Sequence, residues 1–178
     1  MGCERLLKLN SEDFIDNGLT VAEMLRLADL FAQTGIDAIE LSGGTTDPNG
    51  DQFPVRKGSP LRERDEVYYR EAARRFREQI DVPLILVGGI RSYEVAKGLI
   101  DERFADYIAL CRPLIREPHL IARWKSGDTR KSQCDSCVQP AESRRLRPAK
   151  GPPRHAVSAS CDPAIDVACN CDNSRSSL

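Results

Sequence analysis

The sequence predicts an α/β fold of parallel β/α units, and three observations carry that expectation. Four short apolar runs lie near residues 6–9, 37–42, 83–87 and 106–111. Helical patterns or connections of helix length separate them, and only parallel strands need such long crossovers. A glycine pair, Gly88-Gly89, closes the third run, and the fourth ends in Cys111-Arg112-Pro113. Four units make either half of a (β/α)8 barrel or a small open sheet, and periodicity does not choose between them.

Each element has its own warrant. Leu6 to Leu9 form the first run, interrupted by Lys8. Thr20 stands three residues before Glu23, a capping box that opens a helix. Val21, Met24, Leu25, Ala28 and Phe31 then recur at helical spacing, and Gly35 is placed to stop it. Asp37-Ala-Ile-Glu-Leu-Ser42 is the second run, and Asp106-Tyr-Ile-Ala-Leu echoes its beginning. After a loop rich in Gly, Thr, Asp and Pro, a highly charged helix is expected from about Arg62 to Gln79. Its inner stripe is Val67, Tyr68, Ala72 and Phe76. Val82-Pro-Leu-Ile-Leu-Val87 is the third run, followed by a helix with Ser92 as its cap. Pro113 suits the first turn of a short helix after the fourth run. A last helix through Leu120, Ile121 and Trp124 ends near Lys125.

The chain divides into two regions, 1–125 and 126–178. The first is expected to form the β/α units. The second is rich in Ser, Arg, Pro and Cys without sustained periodicity, so most of it is expected to be disordered. Over 178 residues, 40% are hydrophobic and 30% charged, enough for one buried core. A net charge of −1 gives no reason to expect nucleic acid or an acidic membrane as partner. No run approaches a membrane span or a signal peptide, so the cytoplasm is the expected compartment and a small molecule the expected substrate. Seven cysteines without a secretory signal suggest free thiols or a metal site rather than disulfides.

Three groups of residues could carry chemistry. Gly88 and Gly89 would let an anion approach the backbone closely, and N–H groups at a helix start could cradle a phosphate; a plain tight turn is the alternative. Arg112, preceded by Cys111, lies at the mouth of the next strand. The two loops together resemble the phosphate site formed after the last two strands of many (β/α)8 barrels. Lys8 shares a strand face with Leu6 and Asn10, either facing an anionic ligand or snorkelling to water. Glu40 is expected to partner a neighbouring basic side chain. Cys134-Asp-Ser-Cys137 is half a metal site, but its spacing to Cys161, Cys169 and Cys171 fits no common zinc pattern. His119 is expected to face solvent, and His155 lies in the tail.

Taken together, five strings resemble the NADH:flavin oxidoreductase / old yellow enzyme family in order and spacing, from about residue 5 to Cys137. They are Leu7-Lys-Leu-Asn10, Asp37-Ala-Ile-Glu-Leu-Ser-Gly-Gly44, Val82-Pro-Leu-Ile-Leu-Val-Gly-Gly-Ile90, Ala105-Asp-Tyr-Ile-Ala-Leu110 and Arg112-Pro-Leu-Ile-Arg-Glu-Pro118. The resemblance implies strands five to eight of an FMN-binding (β/α)8 TIM barrel that passes hydride from NAD(P)H through the flavin to an activated C=C or related acceptor. Lys8 then matches the basic residue beside the flavin N1/O2 edge. Gly88 and Gly89 match the phosphate loop after strand seven, and Arg112 the basic residue after strand eight. Cys111 stands where the family often has Gly, an exchange that the phosphate contact is expected to survive. Cys134 and Cys137 fit the start of the C-x2-C-x3-C series that holds an iron–sulfur cluster in some relatives, but the third position is Ala141.

The resemblance places the substrate-anchoring residues and the proton-donating tyrosine on strands one to four, which nothing here matches. No catalytic residue is therefore expected in this chain. Besides a fragment of a flavoenzyme, three readings stay open: a flavin-free phosphate-binding barrel, a metal module on the tail cysteines, and a non-catalytic half-barrel. The last would pair with itself or with an N-terminal half-barrel, driven by two exposed sheet edges.

Overall fold

The computed structural model describes residues 4–45 and 62–134. Strand β1 (Leu6–Asn10) leads through helix α1 (Val21–Gln33) to β2 (Ala38–Ser42), and helix α2 (Arg70–Gln79) leads to β3 (Leu84–Val87). Helix α3 (Tyr93–Asp101), β4 (Tyr107–Ala109) and two short helices, α4 (Arg112–Arg116) and α5 (Leu120–Lys125), follow. All three strand pairings are parallel, in the order β1-β2-β3-β4. These are four consecutive β/α units, the architecture of part of a (β/α)8 barrel.

Strand alternation gives the sheet two unlike faces. Leu7, Ile39 and Leu84 lie in one row, and Leu9, Leu41, Leu86 and Ile108 in the next. Ile39, Leu41, Leu84 and Leu86 are fully buried there, against the helices that supply Met24, Ala28, Ala73, Phe76 and Leu99. Lys8, Glu40, Ile85 and Tyr107 form a row on the opposite face. Only a small apolar patch of Ala38, Ile85, Val87 and Ala109 packs on this side, while Leu6 and Tyr107 are 57% and 43% exposed. In a barrel this second face is the interior.

The echo between the second and fourth runs has a structural meaning. The Asp37 N–H donates to the Arg5 carbonyl and the Asp37 carboxylate accepts the Arg5 N–H, at 3.0 and 2.6 Å. Asp106 does the same with the N–H and carbonyl of Leu84, at 2.8 and 2.9 Å. Each aspartate thus fastens the foot of its strand to a neighbouring strand.

Thr20 caps α1 with the expected reciprocal box to Glu23, and Gly35 follows at φ +77°. Two elements differ from expectation. The helix expected from Arg62 is a single 3-10 turn, Glu63–Asp65, and α2 begins only at Arg70. Between them Glu66–Tyr69 is pinned by tertiary contacts that a helix could not make, and Val67 sits at φ +65°, costly for a β-branched residue. Ser92 does occupy the first cap of α3, but its side chain makes no capping bond; its hydroxyl donates to Glu66 Oε1 at 2.8 Å.

The last helix ends at Lys125, as expected, and contacts continue beyond it. Trp124 Nε1 donates to the Arg130 carbonyl at 3.1 Å, the Ser132 N–H to the Arg91 carbonyl at 3.0 Å, and Cys134 is buried. Cys137, Cys161, Cys169, Cys171, His155 and the rest of the expected disordered tail lie outside the described residues. No described helix is long and apolar enough to cross a membrane.

Candidate functional site

Parallel strands deliver their following loops to one end of the sheet. Val87 pairs with Ala109, so the loop that starts at Gly88 leaves beside the one that carries Cys111 and Arg112. Gly88 and Gly89 adopt φ of +117° and +79°, conformations that side chains other than glycine rarely tolerate. No described residue accepts a hydrogen bond from either N–H. Arg112 opens α4, with Pro113 inside its first turn, and the Leu114 and Ile115 N–H groups donate to the Cys111 carbonyl, both at 3.1 Å. Cys111 is exposed. The structure thus brings Gly88, Gly89, Cys111 and Arg112 to neighbouring strand ends.

Packing supplies a second reason for the glycines. A Cβ on Gly88 would stand 2.7 Å from the Tyr69 ring, and one on Gly89 would stand 2.4 Å from the Tyr68 ring. The side of the loop that a side chain would occupy is therefore filled by tyrosines, not open to a ligand. Tyr68 N–H also donates to the Gly88 carbonyl at 3.0 Å, and the Tyr69 hydroxyl to the Gly43 carbonyl at 2.7 Å. The two rings meet edge to face, their centroids 6.2 Å apart.

Glu66 completes this wedge. Its side chain is fully buried. Oε2 accepts the N–H groups of Arg91 and Ser92 at 2.8 and 3.0 Å, and Oε1 faces the Ser92 hydroxyl and, at 2.8 Å, Lys131 Nζ. One carboxylate thus ties the β3–α3 loop to the segment before α2 and to the chain beyond α5.

Lys8 lies lower in the sheet, beside Glu40 in the register. The two side chains form an ion pair, Lys8 remaining 59% exposed and Glu40 27%. One row nearer the loops, Asn10 Nδ2 donates to Asp13 Oδ1 and the Gly44 carbonyl, both at 3.1 Å. Its Oδ1 accepts the Ser42 hydroxyl at 3.1 Å. The inner face is therefore polar along β1 and β2 and apolar along β3. His119 is exposed at the start of α5.

Sequence reasoning missed Glu66, Arg91 and Lys131, and read Tyr68 as one position of a helical stripe. An arginine two residues after the glycine pair was the available signal. The others become visible only when segments distant in sequence meet.

No protein-family model matches the chain. A 4,4'-dithiodibutanoate disulfide reductase of Rhodococcus erythropolis is 28% identical over 156 residues, covering 73% of this chain and 38% of the reductase. An NADH-dependent flavin oxidoreductase of Talaromyces variabilis is 32% identical over 113 residues, 58% of this chain and 27% of the relative. The chain is thus similar in sequence to NADH-dependent flavin oxidoreductases. It spans well under half the length of these relatives. The imidazole glycerol phosphate synthase subunit HisF of Pseudoalteromonas atlantica is also similar, 31% identical over 118 residues, 66% of this chain and 39% of that subunit. Among solved structures, a 2-naphthoyl-CoA reductase superposes at a TM-score of 0.60 with 22% identity, over 72% of this chain and 19% of the reductase, a likeness of fold.

Proposed function

We propose that this chain carries the phosphate end and the N1/O2 edge of an FMN site in an NAD(P)H-dependent oxidoreductase. The observation that carries the reading is the meeting of Gly88, Gly89 and Arg112 at adjacent parallel strand ends, in a chain similar to flavin oxidoreductases. The fit is chemical: two N–H groups without an acceptor among the described residues, a guanidinium in the next loop, and a lysine on the inner face. FMN, when bound, would supply the hydride chemistry toward an activated C=C or related acceptor. Arg112 would hold the phosphate by charge-assisted hydrogen bonds. Lys8 would place positive charge at the flavin edge, with Glu40 fixing its position until the ring is bound. The chain's own residues position a cofactor here, and no described residue is assigned to proton transfer.

Among the described residues β1 and β4 are edge strands, and with the exposed Leu6 and Tyr107 they support a further part of this reading. A complete site needs a second set of strands, from another copy or from an N-terminal half-barrel, to cover the inner face. The absence of a described membrane-spanning helix is compatible with work in the cytoplasm.

The likeness to HisF favours a second reading, in which the same loops hold a phosphorylated substrate without flavin. Titration of the purified chain with FMN, followed by quenching of flavin fluorescence, separates the two. FMN binding that weakens in Arg112→Ala by roughly 1.5–3 kcal/mol supports the flavin site. A colourless protein that takes up no FMN but binds sugar phosphates selects the alternative.

A further inference from the structure

The chain beyond α5 turns back onto the loop that leaves β3. The Ser132 N–H donates to the Arg91 carbonyl at 3.0 Å, and Lys131 Nζ lies 2.8 Å from Glu66 Oε1. The path of this segment is fixed from its other side by α5 and the turn before it. Arg123 Nη1 donates to the carbonyls of Asp128 and Arg130 at 3.1 and 2.9 Å. Trp124 Nε1 donates to the Arg130 carbonyl at 3.1 Å, and Glu117 accepts the Gln133 N–H. Ser132 and Cys134 are buried. Trp124 also meets Tyr93, the first residue of α3, edge to face with ring centroids 5.8 Å apart.

Charge makes the two sides of this connection unequal. From the loop, the fully buried Glu66 side chain accepts the N–H groups of Arg91 and Ser92 and the Ser92 hydroxyl. All three are neutral donors. Among the described residues its one ion-pair partner is Lys131, which belongs to the segment beyond α5. Removing one member of a buried ion pair costs more than the pair itself contributes, because the other charge stays behind uncompensated. The bonds that shape the loop therefore depend on a cation supplied from a different part of the chain.

We propose that residues 128–134 form a strap on the β3–α3 loop, with Lys131 as its positioning residue, and that strap and loop open and close as one unit. Gly88 and Gly89 begin that loop, so a ligand held there and an ordered strap stabilise each other. Such coupling is reciprocal: whatever loosens the strap weakens the hold on the ligand, and the bound ligand tightens the strap by the same factor. Lys131 acts through Glu66 and the loop backbone, not on the ligand itself. The ligand side of this inference rests on the FMN reading; the shared opening of strap and loop does not.

Amide hydrogen exchange of the full chain, read against rising urea, tests the proposal. In the unaltered protein the N–H groups of Arg91, Ser92 and Ser132 should follow one opening curve. They should open at lower urea than the Leu86 N–H in the middle of the sheet. Lys131→Met, which removes the charge and keeps the length, should speed exchange at Arg91 and Ser92 by roughly 10- to 100-fold and leave Leu86 little changed. Lys131→Arg, which keeps the charge, should restore most of the protection. Saturating FMN should slow Ser132 by the same factor as Arg91 and Ser92. Separate curves in the unaltered protein, or opening only together with Leu86, overturn the proposal, and that measurement stands even if the Met variant does not fold. Equal acceleration at Leu86 in Lys131→Met overturns it too, since Lys131 would then stabilise the fold as a whole. FMN binding that slows Arg91 and Ser92 but not Ser132 refutes the linkage while the flavin reading survives. A chain that takes up no FMN, yet whose three N–H groups open together, sinks the flavin reading alone.

Discussion

A methyl group added at Gly89 meets the Tyr68 ring at 2.4, 2.7 and 2.8 Å, inside the separation that carbon atoms tolerate. The ring cannot swing aside freely, because the Tyr68 backbone N–H is bonded to the Gly88 carbonyl and Tyr69 lies against it edge to face. Gly89→Ala therefore carries two costs. Holding a residue with a side chain at φ +79° costs about 1–2 kcal/mol, and overpacking a filled site adds about 1–3 kcal/mol. Urea unfolding followed by circular dichroism should register a loss of about 2–5 kcal/mol. The two parts separate in a double-mutant cycle. In a Tyr68→Ala background the steric part disappears and the backbone part remains, giving a coupling of about 1–3 kcal/mol. A loss below about 0.5 kcal/mol, or an equal loss in both backgrounds, would refute the reasoning that the tyrosines hold this space. Ligand affinity measured on the same proteins shows whether the glycines act on binding beyond their effect on the fold.

Glu66→Gln weakens a buried carboxylate's bonds to Ser92 and Lys131, and should lower unfolding stability by roughly 1.5–3 kcal/mol in the same urea assay. The two faces of the sheet should respond differently to substitution: Leu86→Ala, at a fully buried position, costs about 2–5 kcal/mol, while Leu6→Ser on the inner face stays within about 0.5 kcal/mol in the isolated chain. If a second set of strands covers that face, Leu6→Ser instead weakens the association, which sedimentation reads directly. Thr20→Ala removes the cap of α1 and should cost about 1 kcal/mol at neutral pH. The pH dependence has a definite sign. The Thr20 hydroxyl and backbone N–H hold the Glu23 carboxyl below its ordinary value, and Arg130 does the same for Asp128. Both groups bind their protons more weakly when folded, so their stabilisation is present above the ordinary carboxylate range and fades as pH falls through the lowered values. Urea midpoints of the unaltered protein and Thr20→Ala should accordingly converge on acidification, and a constant gap would contradict the assignment to Glu23.

The sequence by itself determined the order of elements, because the periodicities that mark them are local. Apolar runs of strand length place four strands to within a few residues, and the Thr20–Glu23 box marks the start of α1 because both partners lie within one helical turn. Glycines at positive φ and an arginine followed by proline likewise announce loops at strand ends. The segment from Glu66 to Tyr69 shows where that legibility stops. Its composition suits a helix, yet Glu66 reaches Arg91 and Ser92, Tyr68 bonds to Gly88 and Tyr69 to Gly43, at sequence separations that no local pattern encodes. The contacts beyond Lys125 escape local reading for the same reason, since Lys131 meets Glu66 and Ser132 meets Arg91, both far away in the sequence. The tertiary structure alone decided which face of the sheet the described helices cover and which face they leave more exposed. It also decided that Lys8 meets Glu40, and that the Arg91 side chain is buried. Local sequence fixes backbone preference, but charge balance and steric occupancy depend on segments brought together from opposite ends of the chain.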